Sequence, residues 1–302
     1  MSLISNYIKQ IRKCKDNLFD IESRISTQVK MNYLCNLALN CVDNGITDKE
    51  YQKDTPIIVS LTTYGQRLQE VYYSLESLLH QTLQPNKIVL CISEDFKSEN
   101  NLPLLLKKQL NRGVEILYCK DLGPYTKLIP TLKQYPSAII ITVDDDMLYP
   151  IDFIEYLVKS YKKRPNDIHC YYGHTMILDK KGKMESYDKW VKQPASGISI
   201  LNFPTGVDGV LYPPNCFHED IIREDIFLKL CPHADDVWFK AMTLLKNKDC
   251  VVVPRMRKPR QEFLCINPTG TETLANLNRV KKLNDIQIKN VFDYYNLYKI
   301  IH

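Results

Sequence analysis

The sequence predicts an α/β fold in which helices flank a mostly parallel sheet, preceded by a helical extension at the N-terminus. Two patterns carry this prediction. From Pro56 onward, short apolar runs alternate with amphipathic stretches, which is typical of β-α-β units. Before that point, apolar residues recur every three or four positions, which is the spacing of one helix face.

Residues 1–44 are predicted to form a helix. Its apolar residues alternate three- and four-residue steps and share one stripe: Ile4, Tyr7, Ile11, Cys14, Leu18, Ile21 and Ile25. This spacing suits a coiled coil as well as a helix packed on its own domain, so homo-oligomerisation through residues 1–44 stays open. We assign residues 1–55 to this extension and residues 56–302 to one catalytic domain.

Residues 56–150 read as a nucleotide-binding half-domain. Apolar runs predict strands at 57–61, 88–92, 114–118 and 138–143. Helical spacing lies between them, at 68–81, 102–110 and 126–134. Strands that alternate with helices in this way build a parallel sheet.

Residues 151–260 are predicted to hold the acceptor and metal half, and residues 261–302 a C-terminal helical segment. The patterns predict a helix at 153–162, a hairpin from 171 that turns at Lys181-Gly182, a helix at 235–245, a strand at 251–253 and a helix at 286–298. The stretch 186–218 is rich in Gly, Pro and aromatic residues, which indicates a loop region suited to shaping a pocket.

Composition narrows the function classes. The net charge of +5 comes from 40 basic and 35 acidic residues mixed along the chain, which argues against a nucleic-acid binder. Ten dispersed cysteines without a C-x-x-C pair indicate reduced thiols, and no signal-peptide pattern or membrane-length apolar run occurs. We therefore expect a cytoplasmic protein, with peripheral contact at the inner face of the membrane left open.

Three consecutive aspartates, Asp144, Asp145 and Asp146, directly follow the apolar run 139–143. They emerge at the carboxyl end of a predicted buried strand, which is the edge where ligands bind in open α/β sheets. Adjacent carboxylates near a core repel one another and need a cation or strong hydrogen-bond donors. A hard divalent ion such as Mn²⁺ or Mg²⁺ meets that need, although a solvated turn would also hold three aspartates.

Four segments together resemble the GT-A glycosyltransferases, particularly the bacterial family-2-like enzymes that build capsular and lipopolysaccharide glycans. The segments are Ser60-Leu61-Thr62-Thr63-Tyr64, residues 121–132 with Lys127, residues 143–150, and Ala234-Asp235-Asp236-Val237-Trp238. They occur in a consistent order over roughly residues 56 to 255, which is more specific than any one motif. The resemblance implies a Rossmann-like GT-A fold, and the N-terminal helix lies outside it.

The resemblance assigns a nucleotide-sugar site to Thr62, Tyr64, Arg67, Lys127, Asp144, Asp145 and Gly209. It implies that Asp146 binds the metal directly, with Asp144 near the ribose or the metal-bound water. His218 could complete the metal shell or contact a phosphate. Each assignment has a structural alternative. Thr62, Tyr64 and Arg67 could form an ordinary strand-to-helix connection, Lys127 could be a solvated lysine, and His218 could be a surface histidine.

Asp235 and Asp236 begin a predicted helix and allow two interpretations. Acidic residues there favour the helix dipole and cap free amides, which is a sufficient structural reason. The resemblance implies instead that Asp236 is the general base of an inverting transfer, with Asp235 as its neighbour or an acceptor ligand. Such a base must reach the acceptor hydroxyl.

The residues and the resemblance together predict a metal-dependent glycosyltransferase that moves a sugar from a nucleotide-diphosphate donor to a glycan or lipid-linked glycan. That the donor is a UDP-sugar and that the transfer is a direct displacement with inversion is what the resemblance implies. A sugar nucleotidyltransferase is the enzymatic alternative, but only one glycine follows the first strand, at Gly65. A non-catalytic scaffold is the other alternative. The basic cluster Arg255, Arg257, Lys258 and Arg260 could reach a diphosphate or a lipid headgroup, or simply be solvated.

Overall fold

The computed structural model describes residues 3–49, 51, 55–98, 102–192, 197–254, 263–266 and 283–301, without the side chains of residues 3–17 and 19. The basic cluster at 255–260 lies outside the described residues. Within them, no helix is long and apolar enough to cross a membrane.

In the first half of the chain, the strands follow the apolar runs of the sequence closely. In chain order they are β1 (Ile57–Thr62), β2 (Lys87–Ser93), β3 (Val114–Cys119), β4 (Ile139–Thr142), β5 (Met147–Leu148), β6 (Ile168–Cys170), β7 (Gly173–Thr175), β8 (Val191–Lys192), β9 (Gly197–Ser199), β10 (Asn202–Pro204), β11 (Val210–Tyr212), β12 (Cys250–Val252) and β13 (Leu264–Cys265). The α-helices are α1 (Leu3–Asn40), α2 (Val71–Leu79), α3 (Leu104–Leu110), α4 (Ile129–Gln134), α5 (Phe153–Lys163), α6 (Glu224–Leu230), α7 (Asp235–Leu244) and α8 (Leu283–Tyr295).

The central sheet has eight strands in the order β3-β2-β1-β4-β11-β6-β12-β9. Strands β3, β2, β1 and β4 are mutually parallel, and so are β6 and β12, whereas β11 and β9 run antiparallel to their neighbours. Two small sheets, β10-β7-β8 and β13-β5, lie beside it. The predicted fold class, a mostly parallel sheet flanked by helices, is therefore confirmed.

Alternating side chains of the central strands feed two cores, one on each face of the sheet. In β1, Ile57 and Val59 belong to the core that includes Leu75 of α2, whereas Ile58 belongs to the core that includes Trp238 of α7. Both faces of the strand are therefore buried, which explains why its sequence is a continuous apolar run rather than an alternating one.

The C-terminal part of helix α1 packs on the α/β domain. Thr27, Leu34 and Ala38 are buried there, and the helix contacts α2 and α3. Leu18 and Ile21 remain exposed, at 67% and 53%. Packing on the domain therefore accounts for the C-terminal part of the helix, and self-association through the exposed stripe stays a prediction.

The structure departs from the predicted elements mainly in the second half. The run predicted as a hairpin contains one strand, β7, which pairs with β10 and β8, and the bridge between Leu178 and Met184 flanks the predicted turn. The region predicted as loop contains β11, which pairs with β4 in the middle of the sheet. Three residues between Gly209 and Pro213 are too few to show a period, so the pattern missed this strand.

Candidate active site

The acidic turn Asp144–Asp146 lies where the strand order reverses. The chain proceeds from β1 through β2 to β3 on one side, and β4 lies on the other side of β1. Loops that leave β1 and β4 at their carboxyl ends diverge there and form a crevice, which is the usual ligand site of such sheets. Thr62 ends β1 at this edge, and its hydroxyl donates to the carbonyl of Cys91 at 2.9 Å.

Each aspartate of the turn is anchored through its backbone. The N–H of Asp144 donates to the hydroxyl of Tyr149 at 2.8 Å. The hydroxyl of Ser74 donates to the carbonyl of Asp145 at 2.7 Å, and the N–H of Ile266 donates to the carbonyl of Asp146 at 2.8 Å. The backbone of the acidic turn is therefore held at all three residues, which fixes the points from which the three side chains extend.

The Asp145 side chain points inward. It is 6% exposed, accepts from the Thr63 hydroxyl at 2.6 Å and pairs with Arg67 at 2.8 Å. Burial raises the pKa of Asp145, and the Thr63 and Arg67 contacts partly offset that rise. This carboxylate therefore holds the loop after β1 against the loop after β4.

The Asp144 and Asp146 side chains are more open, at 30% and 27% exposed. Arg67 contacts Asp146 at 3.2 Å, and Lys127 contacts Asp144 at 3.2 Å. Burial and the neighbouring charge of Asp144 raise the pKa of Asp146 to about 6, despite the attraction of Arg67. These two carboxylates are the ones that can still accept a ligand.

Lys127 joins the acidic turn to the start of α7. Its ammonium lies 3.2 Å from Asp144 and 3.1 Å from Asp235, and the residue is 8% exposed. A Cβ at Gly206 would come within 2.6 Å of the same ammonium, so this glycine leaves room for the bridge. The interpretation of Lys127 as a solvated surface charge is therefore wrong, because the lysine is a buried link between two acidic centres.

Asp236 occupies a separate position beside this link. Its carboxylate accepts from the N–H of Gly206 at 3.2 and 3.3 Å, whereas Asp235 is engaged by Lys127. Burial and the charge of Asp235 raise the pKa of Asp236 to about 8, and Lys127 partly opposes the rise. Both carboxylates contact groups outside α7, so capping of the helix is not their sole engagement.

Replacing Asp235 by asparagine is expected to lower the pKa of Asp236. The change removes the neighbouring negative charge and frees Lys127 to act on Asp236, and both effects favour the ionised carboxylate. Carbon-13 NMR titration of the aspartate carboxyl groups, assigned with Asp236→Asn, measures this shift. A pKa that is the same in Asp235→Asn as in wild type would show that burial and the charge of Asp144, and not Asp235, raise it.

The remaining predicted residues are more scattered. Tyr64 is 62% exposed, and the Arg67 guanidinium lies 5.5 Å from its ring centroid. Gly209 has φ +91°, and a Cβ there would come within 2.5 Å of the Phe153 ring, so its lack of a side chain is already explained by packing. His218 caps a short 3₁₀ turn by accepting from the N–H of Asp220.

Among the described residues, no group of three or more His, Cys, Asp and Glu side chains is arranged to hold a metal ion. Asp144, Asp146 and His218 are thus not gathered into a complete ligand set. The acidic cluster as a whole still carries excess negative charge, since Arg67 and Lys127 face Asp144, Asp145, Asp146 and Asp235. The open carboxylates are oxygen donors, which suit Mn²⁺ or Mg²⁺.

Sequence reasoning missed several residues that build this site. Thr63, Ser74 and Tyr149 bind the acidic turn. Thr63 and Tyr149 fall inside segments of the resemblance, which was a usable signal. Ser74 lies in the middle of α2, and no local pattern distinguishes it from any other helical serine.

No protein-family model matches the chain, and no curated protein sequence matches it significantly. Among solved structures, it is similar to S. aureus TarS 1–349 in complex with UDP, with 15% identity and a TM-score of 0.41 over 63% of this chain and 55% of that chain. The match therefore spans little more than half of the TarS chain. A second TarS 1–349 structure matches with 15% identity and a TM-score of 0.47 over 81% and 70%.

The chain is also similar to the mannosyltransferase PcManGT from Pyrobaculum calidifontis in complex with GDP-Man and Mn²⁺. The identity is 12%, the TM-score is 0.49, and the match covers 94% of this chain and 78% of that chain. At such identities a similarity concerns the fold, and the chemistry of this site rests on its own residues.

Proposed function

We propose that this protein is a metal-dependent glycosyltransferase that transfers a sugar from a UDP-sugar to a glycan or lipid-linked glycan, with inversion. One observation carries the proposal. An acidic turn at the sheet's switch point and a separate carboxylate, Asp236, are joined through Lys127 and Asp235. Direct displacement needs both a centre for the leaving diphosphate and a base for the acceptor, and this arrangement offers one of each.

Asp236 is proposed as the base. It takes the proton of the acceptor hydroxyl while that oxygen forms a bond to the anomeric carbon, and the bond from that carbon to the diphosphate oxygen breaks. A base with a pKa of about 8 is well matched to proton transfer near neutral pH. The Gly206 N–H fixes the direction of its carboxylate, and Lys127 keeps Asp235 from adding a full negative charge beside it.

Asp144 and Asp146 are proposed to hold the divalent cation. Mg²⁺ and similar ions are commonly bound through one or two carboxylates together with substrate phosphates and water, so two open carboxylates suffice. Bound there, the cation would offset charge on the leaving diphosphate. His218 is left out of the proposed ligand set, because its ring accepts from the N–H of Asp220 and lies against Tyr295.

Tyr64 and Arg67 are proposed to receive the nucleoside. The exposed ring of Tyr64 provides a stacking face beside β1, and Arg67 is held by Asp145 and Asp146 at the same edge. Thr62 borders this region, while its hydroxyl is engaged by the β2 backbone. We further propose that this sugar transfer serves capsule or lipopolysaccharide synthesis at the inner face of the membrane.

The proposal is tested by calorimetric titration of UDP, and in parallel GDP, into the protein with and without Mn²⁺. We expect binding that requires the metal, and Asp146→Ala should weaken it by at least about tenfold, because the open site loses one of two carboxylates. Asp225→Ala serves as the matched control, since Asp225 is 65% exposed and pairs only with Arg223 among the contacts described.

Two results would count against the proposal. Absence of metal-dependent binding of either nucleotide would favour the non-catalytic scaffold. Equal weakening in Asp146→Ala and Asp225→Ala would show that the effect comes from lost charge at large and not from the acidic turn.

A further inference from the structure

Helix α1 reaches the back of the acidic turn. The ammonium of Lys30 donates to the carbonyl of Tyr149 at 2.8 Å and to that of Leu148 at 3.4 Å. Lys30 is half-buried, and these two carbonyls follow the turn within a few residues. A charged donor in a partly buried place makes a stronger hydrogen bond than a neutral one.

Tyr149 carries this contact to the turn itself. Its backbone is held by Lys30 and by Ser77, whose hydroxyl accepts from the Tyr149 N–H at 3.1 Å. Its phenol accepts from the N–H of Asp144 at 2.8 Å and donates to the Asp144 carbonyl at 3.3 Å. Tyr149 is 1% exposed, so one rigid side chain separates the Lys30 contact from Asp144.

An apolar cluster makes a second connection. Leu34 of α1 packs with Leu148 of β5 and with Leu264 and Ile266, and all four are buried. The short ladder of β5 and β13 lies within this cluster, and the Ile266 N–H donates to the carbonyl of Asp146. The helix therefore supports both ends of the acidic turn.

We infer that Lys30 is a positioning residue for Asp144 and Asp146, and that α1 is an integral support of the candidate ligand site. The carboxylates of the turn repel one another, so their backbone must be held from behind if they are to converge on one ligand. Lys30 provides that restraint through Tyr149, and it touches neither the carboxylates nor a ligand. The identity of the ligand that the turn binds rests on the proposed function. The restraint of the turn by Lys30 and α1 does not depend on that function.

Hydrogen exchange and nucleotide titration on the full-length chain test this inference. In Lys30→Met, amide exchange in peptides spanning 144–149 and 264–266 should be faster by about tenfold or more, since a hydrogen bond from a charged donor contributes at least that factor. The UDP affinity in the presence of Mn²⁺ should fall by a similar factor. Lys30→Arg should restore both, because guanidinium also donates to carbonyls. Lys289→Met, which removes an exposed lysine paired with Asp293, is the matched control.

The outcomes separate the two proposals. Unchanged exchange in 144–149 overturns the inference, and so does uniformly faster exchange that includes the β1 strand, because that would indicate general destabilisation. Faster local exchange with unchanged UDP affinity also overturns the inference, since restraint of the turn by Lys30 would then have no effect on ligand binding. If the wild-type protein binds neither UDP nor GDP with Mn²⁺, the proposed function fails, and the exchange data still decide whether α1 restrains the turn.

Discussion

Asp236→Asn is expected to lower kcat by about 10²- to 10⁴-fold, which is the usual contribution of a positioned general base. Asparagine keeps the size of the side chain but cannot take a proton at neutral pH. Metal-dependent UDP binding should stay within about twofold of wild type, because Asp236 contacts Gly206 and not the acidic turn. Single-turnover release of UDP from whichever UDP-sugar the wild-type protein consumes measures the first effect, and calorimetry measures the second.

Asp225→Asn is the control for this experiment, since Asp225 is an exposed acid paired with Arg223. A kcat within a few fold of wild type in Asp236→Asn would assign the base role to another group. Loss of nucleotide binding together with kcat would place Asp236 in the donor site and would contradict the separation of the two acidic centres.

The first half of the fold was predictable because three of its strands, β1, β2 and β4, are buried on both faces. The run 139–143 is entirely apolar except for Thr142, and the structure finds β4 at Ile139–Thr142. The second half was less predictable because its strands are two or three residues long and pair over large sequence distances. β11 pairs with β4 across roughly seventy residues, and no local period can reveal that contact.

The sequence predicts those site residues whose types form a local pattern. It does not predict residues whose role depends on burial and on contacts between distant segments. Three aspartates directly after an apolar run made Asp144–Asp146 a candidate acidic centre in this sequence. Lys127 gives no such signal, because the difference between a solvated lysine and a buried bridge lies in Asp144 and Asp235 meeting in space. His218 was predicted as a possible metal ligand from its place in the sequence, yet its ring caps a 3₁₀ turn and lies 6.5 Å from the ring of Tyr295.

A buried ion pair behind the sheet was also invisible in the sequence. Glu76 of α2 is 0% exposed and accepts from Arg112 at 2.8 and 2.9 Å, with further contacts from Gln109 and His80. Arg112 is 3% exposed, and it also donates to the carbonyl of Asp43 in the segment that follows α1. Burial opposes ionisation of Glu76, but these donors together lower its pKa below the usual 4.5.

Arg112→Met should therefore lower the free energy of unfolding by about 3–5 kcal/mol at pH 7, because it leaves the Glu76 carboxylate buried without its charged partner. A carboxyl whose folded-state pKa is lowered stabilises the fold above its unfolded pKa and loses that contribution as the pH falls through the folded value. The difference in the free energy of unfolding between wild type and Arg112→Met should therefore shrink as the pH falls toward about 4.5. Near that pH the wild-type protein begins to lose the stabilisation from Glu76, and the unpaired Glu76 carboxyl of the variant is protonated. Urea unfolding at intervals between about pH 7 and pH 4 measures the trend. The double variant Glu76→Leu with Arg112→Met should recover part of the lost stability, since no charge then remains buried. If the double variant were as unstable as Arg112→Met, the loss would come from the packing of the arginine and not from the charge that it neutralises.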